Sequence, residues 1–200
     1  MPIFKDEVVV IKSINYSEAD KILTVIGRDY GKFPLLAKGI RKIDSKNRGN
    51  MQTLSVSGIS FYRNKGMGVL TESKNILSPD YSGSNIHGIE RVLFLLNNFI
   101  EEGGECGDLY DKLLFVIKSG CKNDDVNKFR LIFLKKMGLL SYDICNNCGS
   151  EEGVGYIDLK SFELFCKECY FKGLFDVKEL DYLSSAFTES LDKYVFRVLG

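Results

Sequence analysis

Two hydrophobic periods run along this chain, and the change between them falls near residue 80. Before it, apolar and polar positions alternate in short runs. Residues 7–14 (EVVVIKSI) are dense in β-branched side chains, which suit a pleated, half-buried surface. In residues 21–27, Ile22, Thr24 and Ile26 alternate with Leu23 and Val25. Asp29-Tyr30-Gly31-Lys32 has the composition of a tight turn, and residues 33–37 follow as a third strand. Residues 53–62 alternate through Leu54, Val56, Ile59 and Phe61, with a bulge expected at Gly58, and a turn at 63–66 leads into residues 68–77. Five short strands at this spacing predict a small antiparallel barrel.

Residues 78–84 contain a proline, a glycine and three serines, and the period changes across them. Beyond, apolar residues recur at helical spacing. Ile86, Ile89, Val92, Leu93 and Leu96 make one face; Leu109, Leu113, Leu114 and Ile117 make a second. Val126, Phe129, Ile132, Phe133 and Met137 make a third, which ends at Gly138 as a glycine just past the helix. Asp176-Val177-Lys178-Glu179 fits a capping box opening a helix through Leu180 and Leu183, and Leu191, Tyr194, Val195 and Val198 form a last face. The expected architecture is α+β, with a barrel over 1–80 and a mainly helical domain over 81–200. The longest apolar run, 92–96, is far short of the ~18 residues of a membrane span. The N-terminus has no basic, apolar leader pattern, so no secretory signal is expected.

Charge alters this picture. The net charge is zero, but residues 1–80 hold 13 Lys and Arg against 8 Asp and Glu, whereas residues 81–200 hold 14 against 19. The basic surplus is concentrated in one stretch, where Arg28, Lys32, Lys38, Arg41, Lys42, Lys46 and Arg48 stand against Asp29 and Asp44. Such a stretch attracts phosphate and releases condensed counterions on binding, and Ser45 adds a phosphate donor. Gly39 and Gly49 would let the backbone approach a strand, and Tyr16, Tyr30, Phe33, Phe61 and Tyr62 are near enough in sequence to offer stacking faces. The alternative from the same residues is a solvated loop over a barrel cored by those aromatics.

The cysteines carry the clearest chemistry. Cys145-x-x-Cys148 and Cys166-x-x-Cys169, seventeen residues apart, fit the four-cysteine zinc pattern. Gly149 allows the backbone to curl after the first pair, and residues 156–159 and 162–165 alternate as a hairpin would. A redox dithiol would not need the second copy. Four thiolates fill the shell of one structural Zn²⁺ per chain and leave no open position for water, with Lys160, Lys167 and Lys172 near enough to offset the charge. Cys106 and Cys121 are expected in the helical core. Enzyme signatures are missing: His87 is the only histidine, residues 27–32 fall one short of a phosphate-binding loop, and no deaminase pattern surrounds the cysteines. The chain is expected not to be an enzyme.

Taken together these segments resemble the RecO family of bacterial DNA repair proteins. Tyr16-Ser17-Glu18-Ala19-Asp20 is similar to its aromatic-x-Glu-x-Asp segment and Tyr30-Gly31-Lys32 to its His-Gly-Lys-like turn. Ala37-Lys38-Gly39-Ile40-Arg41-Lys42 with Ser45 is similar to its Ala-Lys-Gly-x-Arg-Arg stretch, and the four cysteines occupy its zinc positions. The resemblance implies an oligonucleotide-binding (OB-fold) barrel, then helices holding a zinc insert over 143–172. It implies a cytoplasmic, nucleoid-associated recombination mediator that binds single- and double-stranded DNA and anneals complementary strands. With RecR, such a protein helps load RecA onto strands coated by single-strand-binding protein (SSB), whose acidic C-terminal tail contacts the helical domain. Lys128, Arg130, Lys135 and Lys136 are the basic helix positions to test for that tail. Members of the family usually continue for a few dozen residues beyond the position of Gly200. The competing reading is a zinc-stabilised protein-interaction adaptor that does not bind DNA directly.

Overall fold

The computed structural model describes residues 2–64, 66–78, 85–104, 106–140, 144–158, 160–171, 178–179 and 185–199, the side chains of 178, 179, 185, 186 and 199 excepted. They group into two compact units, Met1–Cys121 and Lys122–Gly200. The change of period expected at 80/81 thus falls inside the first unit, with most of its residues outside those described.

In the first unit, β1 (Phe4–Asn15), β2 (Lys21–Gly27), β3 (Gly31–Ala37), β4 (Val56–Asn64) and β5 (Met67–Leu77) close into a barrel of order β1-β2-β3-β5-β4. Closure between β3 and β5 is parallel, so the barrel is not wholly antiparallel. This is the five-stranded arrangement of an OB-fold. The fourth strand starts later than its alternation suggests. Leu54 sits at φ 59 and turns the chain, although its N–H still donates to the Val10 carbonyl at 2.6 Å. Register shifts fall at Val10/Lys12, Val56/Ser57 and Ser60/Phe61, while Gly58 stays in register with Glu7 and Lys74; the bulge expected at Gly58 is therefore displaced to its flanks.

Strand β1 explains why helices join the barrel. Val8 and Val10 belong to the barrel core with Leu23, Val25, Leu35 and Phe61. Successive side chains of a strand point to opposite faces. Val9 and Ile11, on the other face, are equally buried, and helix α1 (Ile86–Phe99) packs on β1 with Val92, Leu95 and Leu96 fully buried. A strand covered on both sides reads as a continuous apolar run, as residues 8–11 do. Helix α2 (Asp108–Lys118) completes the unit. It ends in a Schellman motif: Gly120 at φ 75 donates to the Ile117 carbonyl, and Cys121 donates to that of Val116.

In the second unit, α3 (Asn123–Lys136) ends the same way at Gly138, φ 70, as its position after the last apolar residue predicts. A three-stranded sheet follows, of order β7-β6-β8, from β6 (Val154–Ile157), β7 (Leu164–Cys166) and β8 (Lys178–Glu179). Short α4 (Lys167–Phe171) and the final α5 (Ser185–Leu199) complete it. Lys178 and Glu179 pair with β6 instead of opening a helix; Asp176, Val177, Leu180 and Leu183 of that expectation lie outside the described residues. Buried Arg130 of α3 bonds Asp192 of α5 at 2.7 Å, and Asn127 donates to Thr188 at 2.9 Å. Arg130 is thus an internal tie between helices and not a surface cation for an acidic tail. Lys135 and Lys136 are exposed in the last turn of α3, and Lys128 pairs with Asp124 one turn back.

Candidate nucleic-acid interface and metal centre

The eight residues expected to meet phosphate divide between two ends of the β2–β3 hairpin. Lys32 and Lys38 are separated by about 20 Å of strand, at ~3.3 Å per residue. At the turn end, Lys32 is buried. Its Nζ donates to the carbonyls of Leu96 at 3.1 Å, Asn97 at 2.7 Å and Ile100 at 2.7 Å. Helix α1 has no basic residue in its own last turn, so Lys32 supplies from another element the cation that a helix C-terminus favours. Burial pushes the Lys32 ammonium down from its ordinary value, with Glu102 opposing. Arg28 lies between Glu7 at 3.0 Å and Asp111 at 2.8 Å, its guanidinium 4.7 Å from the centre of the Tyr110 ring. Both cations have partners within the fold: Lys32 is buried, and Arg28, though exposed, is held by two carboxylates.

The same end explains most of the aromatics. Phe33 stacks on Phe61 at 5.1 Å, and Phe61 meets Phe4 and Tyr30 at 5.6 and 5.7 Å. Arg63 lies over Tyr30. Phe33 and Phe61 are core, as the second reading of the sequence had it, and Tyr62 is half-buried. Tyr16 alone of the five is exposed, at 64%.

At the opposite end, Lys38, Arg41, Lys42, Lys46 and Arg48 are all exposed and Ser45 is half-buried. The segment carrying them is firmly held. The Gly39 N–H donates to the Asp20 carboxylate at 2.7 Å, the Arg41 N–H to the Ala19 carbonyl at 3.0 Å and the Arg41 guanidinium to the Ser17 carbonyl at 2.7 Å. The two sequence motifs at 16–20 and 37–42 are thus one clamp. Further on, Asn47 accepts from the N–H and hydroxyl of Ser73, while Ile40 and Met51 are buried in the barrel core. Gly39 is required by its φ of 66; Gly49 meets nothing within 4 Å, so close approach is not its role. Ile43, at the outer rim, is 95% exposed.

Beneath this segment is a cleft of about 490 Å³. Lys21, Arg41 and Arg48 line it together with Asn15 and Gln52, and no acidic residue does. The sequence pattern missed Lys21, Asn15 and Gln52, because a strand's first residue and two uncharged amides carry no signal until the fold brings them together.

The four cysteines converge in the second unit. Their sulfurs all lie within 4.8 Å of one another, with Cys148 and Cys166 3.8 Å apart. A tetrahedral ion with metal–sulfur bonds of ~2.3 Å needs sulfurs roughly 3.8 Å apart, so the set fits a metal. Burial pushes the Cys145 thiol up, but the N–H groups of Cys166, Cys148 and Asn147 outweigh it and hold it at about 6. Gly149 at φ 74 makes the expected curl, and the Asn147 amide reaches Cys169 at 3.2 Å. The hairpin between the pairs forms, and its turn is anchored. Phe162 at its turn is buried against Phe187 and Tyr194 of α5. Lys160 and Lys167 are exposed, and Lys172 lies outside the described residues. Cys106 and Cys121 are buried. His87 is exposed and paired with Glu90. Among the described residues no helix is long and apolar enough to cross a membrane.

Comparison with known proteins agrees with this geometry. Residues 1–78 match the family described as Recombination protein O N terminal. The chain is 28% identical over 179 residues to the DNA repair protein RecO of Syntrophomonas wolfei, covering 84% of this chain and 70% of that one. It is 27% identical over 173 residues to that of Halalkalibacterium halodurans, with 82% and 68% covered, and 24% identical over 183 residues to that of Bacillus subtilis, with 84% and 69% covered.

Proposed function

We propose that this chain, whose first 78 residues are a RecO N-terminal domain, is a DNA-binding recombination mediator that works by holding strands and has no catalytic centre. The observation that carries the reading is the clamped basic segment 38–48 on an OB-type barrel, exposed where Lys32 is buried and Arg28 is held between Glu7 and Asp111. Lys38, Arg41, Lys42, Ser45, Lys46 and Arg48 receive the phosphates of single- or double-stranded DNA, as cations and hydroxyls do in positioning contacts. The protein anneals complementary strands and, with RecR, helps load RecA onto SSB-coated DNA. The SSB tail meets the helical part, where Lys135 and Lys136 are exposed. The four cysteines hold one Zn²⁺ that fixes the hairpin against α5. With four sulfurs as ligands it has no position for substrate. The proposed location is the bacterial cytoplasm, on the nucleoid.

The test is annealing of complementary oligonucleotides, bare and SSB-coated. The mediator reading expects acceleration of both, reduced when Lys38, Lys42 and Lys46 become Ala. DNA-independent capture of partners together with no acceleration would sink it in favour of the adaptor reading.

A further inference from the structure

The cleft under the basic segment has the features of a pocket for one nucleotide. Its volume of about 490 Å³ lies within the ~300–1,000 Å³ of small-molecule sites, too large for a bare phosphate alone. Its lining separates by chemistry. Lys21, Arg41 and Arg48 bring three positive charges from β2 and from both limbs of the basic segment, with no lining acid to neutralise them. Among the described residues Lys21 and Arg48 have no ion-pair partner, and Arg41 uses one guanidinium nitrogen on the Ser17 carbonyl. Ile40 and Met51, almost wholly buried in the barrel core, close the floor of the cleft. Asn15 and Gln52 add carboxamides, which offer a donor and an acceptor to a base edge. A solvated loop gathers charge without this division.

We propose that the cleft receives a single unstacked nucleotide of a DNA strand, its phosphate on Lys21, Arg41 and Arg48 and its base toward the carboxamides of Asn15 and Gln52, over the floor that Met51 and Ile40 close. This rests on the DNA-binding reading and adds to it. A strand crossing only the outer rim at Lys42 and Lys46 would keep its bases stacked, whereas one entering the cleft has a base turned out. A turned-out base is released from its neighbours, the state from which it pairs with a complementary strand. The pocket holds a nucleotide within a single strand, because a base stacked inside a duplex does not reach it.

The experiment uses the full chain and a pentamer of adenines carrying 2-aminopurine at its centre. Anisotropy reports binding, and 2-aminopurine emission, quenched by stacking, reports unstacking. The expected result is a several-fold rise in emission as anisotropy saturates. Lys21→Gln and Asn15→Ala, at half-buried and exposed positions whose loss leaves the core intact, are each expected to abolish most of that rise at saturating protein. Lys21→Gln is also expected to weaken binding about five- to tenfold. Saturable binding without an emission rise, or a rise that survives both variants, overturns the pocket and leaves the DNA-binding reading standing. Absence of any anisotropy change overturns both.

Discussion

Replacing Lys32 by Met separates the two ends of the barrel most sharply. Lys32 is 7% exposed and gives three hydrogen bonds to the last carbonyls of α1. A hydrogen bond to a charged group contributes about 1.5–3 kcal/mol, and a buried carbonyl left without a partner costs about 1–3 kcal/mol. Set against this is the desolvation that lowers the ammonium's pKa, relieved when the charge is removed. Met fills much of the aliphatic volume but donates nothing. We expect a net loss of about 2 kcal/mol, since water reaches some of the freed carbonyls at the helix end. In urea, with a slope of ~2 kcal/mol/M for a unit of this size, the midpoint of the transition that includes α1 moves down by about 1 M. Affinity for a single-stranded oligonucleotide, measured below the transition, stays within twofold. An unshifted midpoint combined with a tenfold loss of DNA affinity would show that Lys32 serves phosphate and that its place beneath α1 is wrong.

Other expectations follow from single contacts. Gly27→Ala would drive its new methyl into the Asp6 carboxylate, which accepts from the N–H groups of Asp29 and Tyr30; overpacking of this kind costs about 1–3 kcal/mol, readable as a lower melting temperature. Ile43→Trp changes an exposed rim residue in a chain without tryptophan, so stability should hold within about 0.5 kcal/mol while emission changes on DNA binding; an unaltered spectrum would place DNA elsewhere. Stripping the metal under denaturing conditions should release one zinc per chain, and Cys145→Ser should lower the stability of the second unit while leaving DNA affinity near that of the native chain. The lowered pKa of Lys32 also fixes a sign. Between that lowered value and 10.5 the unfolded chain binds more protons than the folded one, so Lys32 makes stability rise with pH across this window, and Lys32→Met should flatten the rise.

What the sequence showed, and what it hid, follows from the range of the interactions. Strand β2 has the bounds its alternation predicts, and Gly138 ends α3 as its place after Met137 implies, because both depend on neighbours in the chain. The four cysteines are legible because metal geometry restricts their spacing. Arg28 and Lys32 look like members of one basic run, yet Arg28 reaches back to Glu7 and on to Asp111, Lys32 reaches Leu96–Ile100, and no local pattern announces a helix laid over a turn. Arg130 is misread for the same reason, its carboxylate being on α5. The cleft was visible only in part. Arg41 and Arg48 belong to the run, but Lys21, Asn15 and Gln52 join them only when the barrel closes. Phe162, read as one residue of an alternating strand, takes φ 61 and buries itself on α5, which fixes the hairpin to the helix.

On the proposed function, DNA meets this chain at the clamped basic segment and not at the β2–β3 turn. The most direct measurement is the slope of log affinity against log salt for a single-stranded oligonucleotide. Each phosphate contact contributes about −0.7 to that slope. The expected result is a negative slope for the native chain, made shallower by roughly 2 when Lys38, Lys42 and Lys46 become Ala, and unchanged for Lys32→Met. Binding insensitive to salt, or a slope that Lys32→Met lowers and the triple substitution does not, would contradict it.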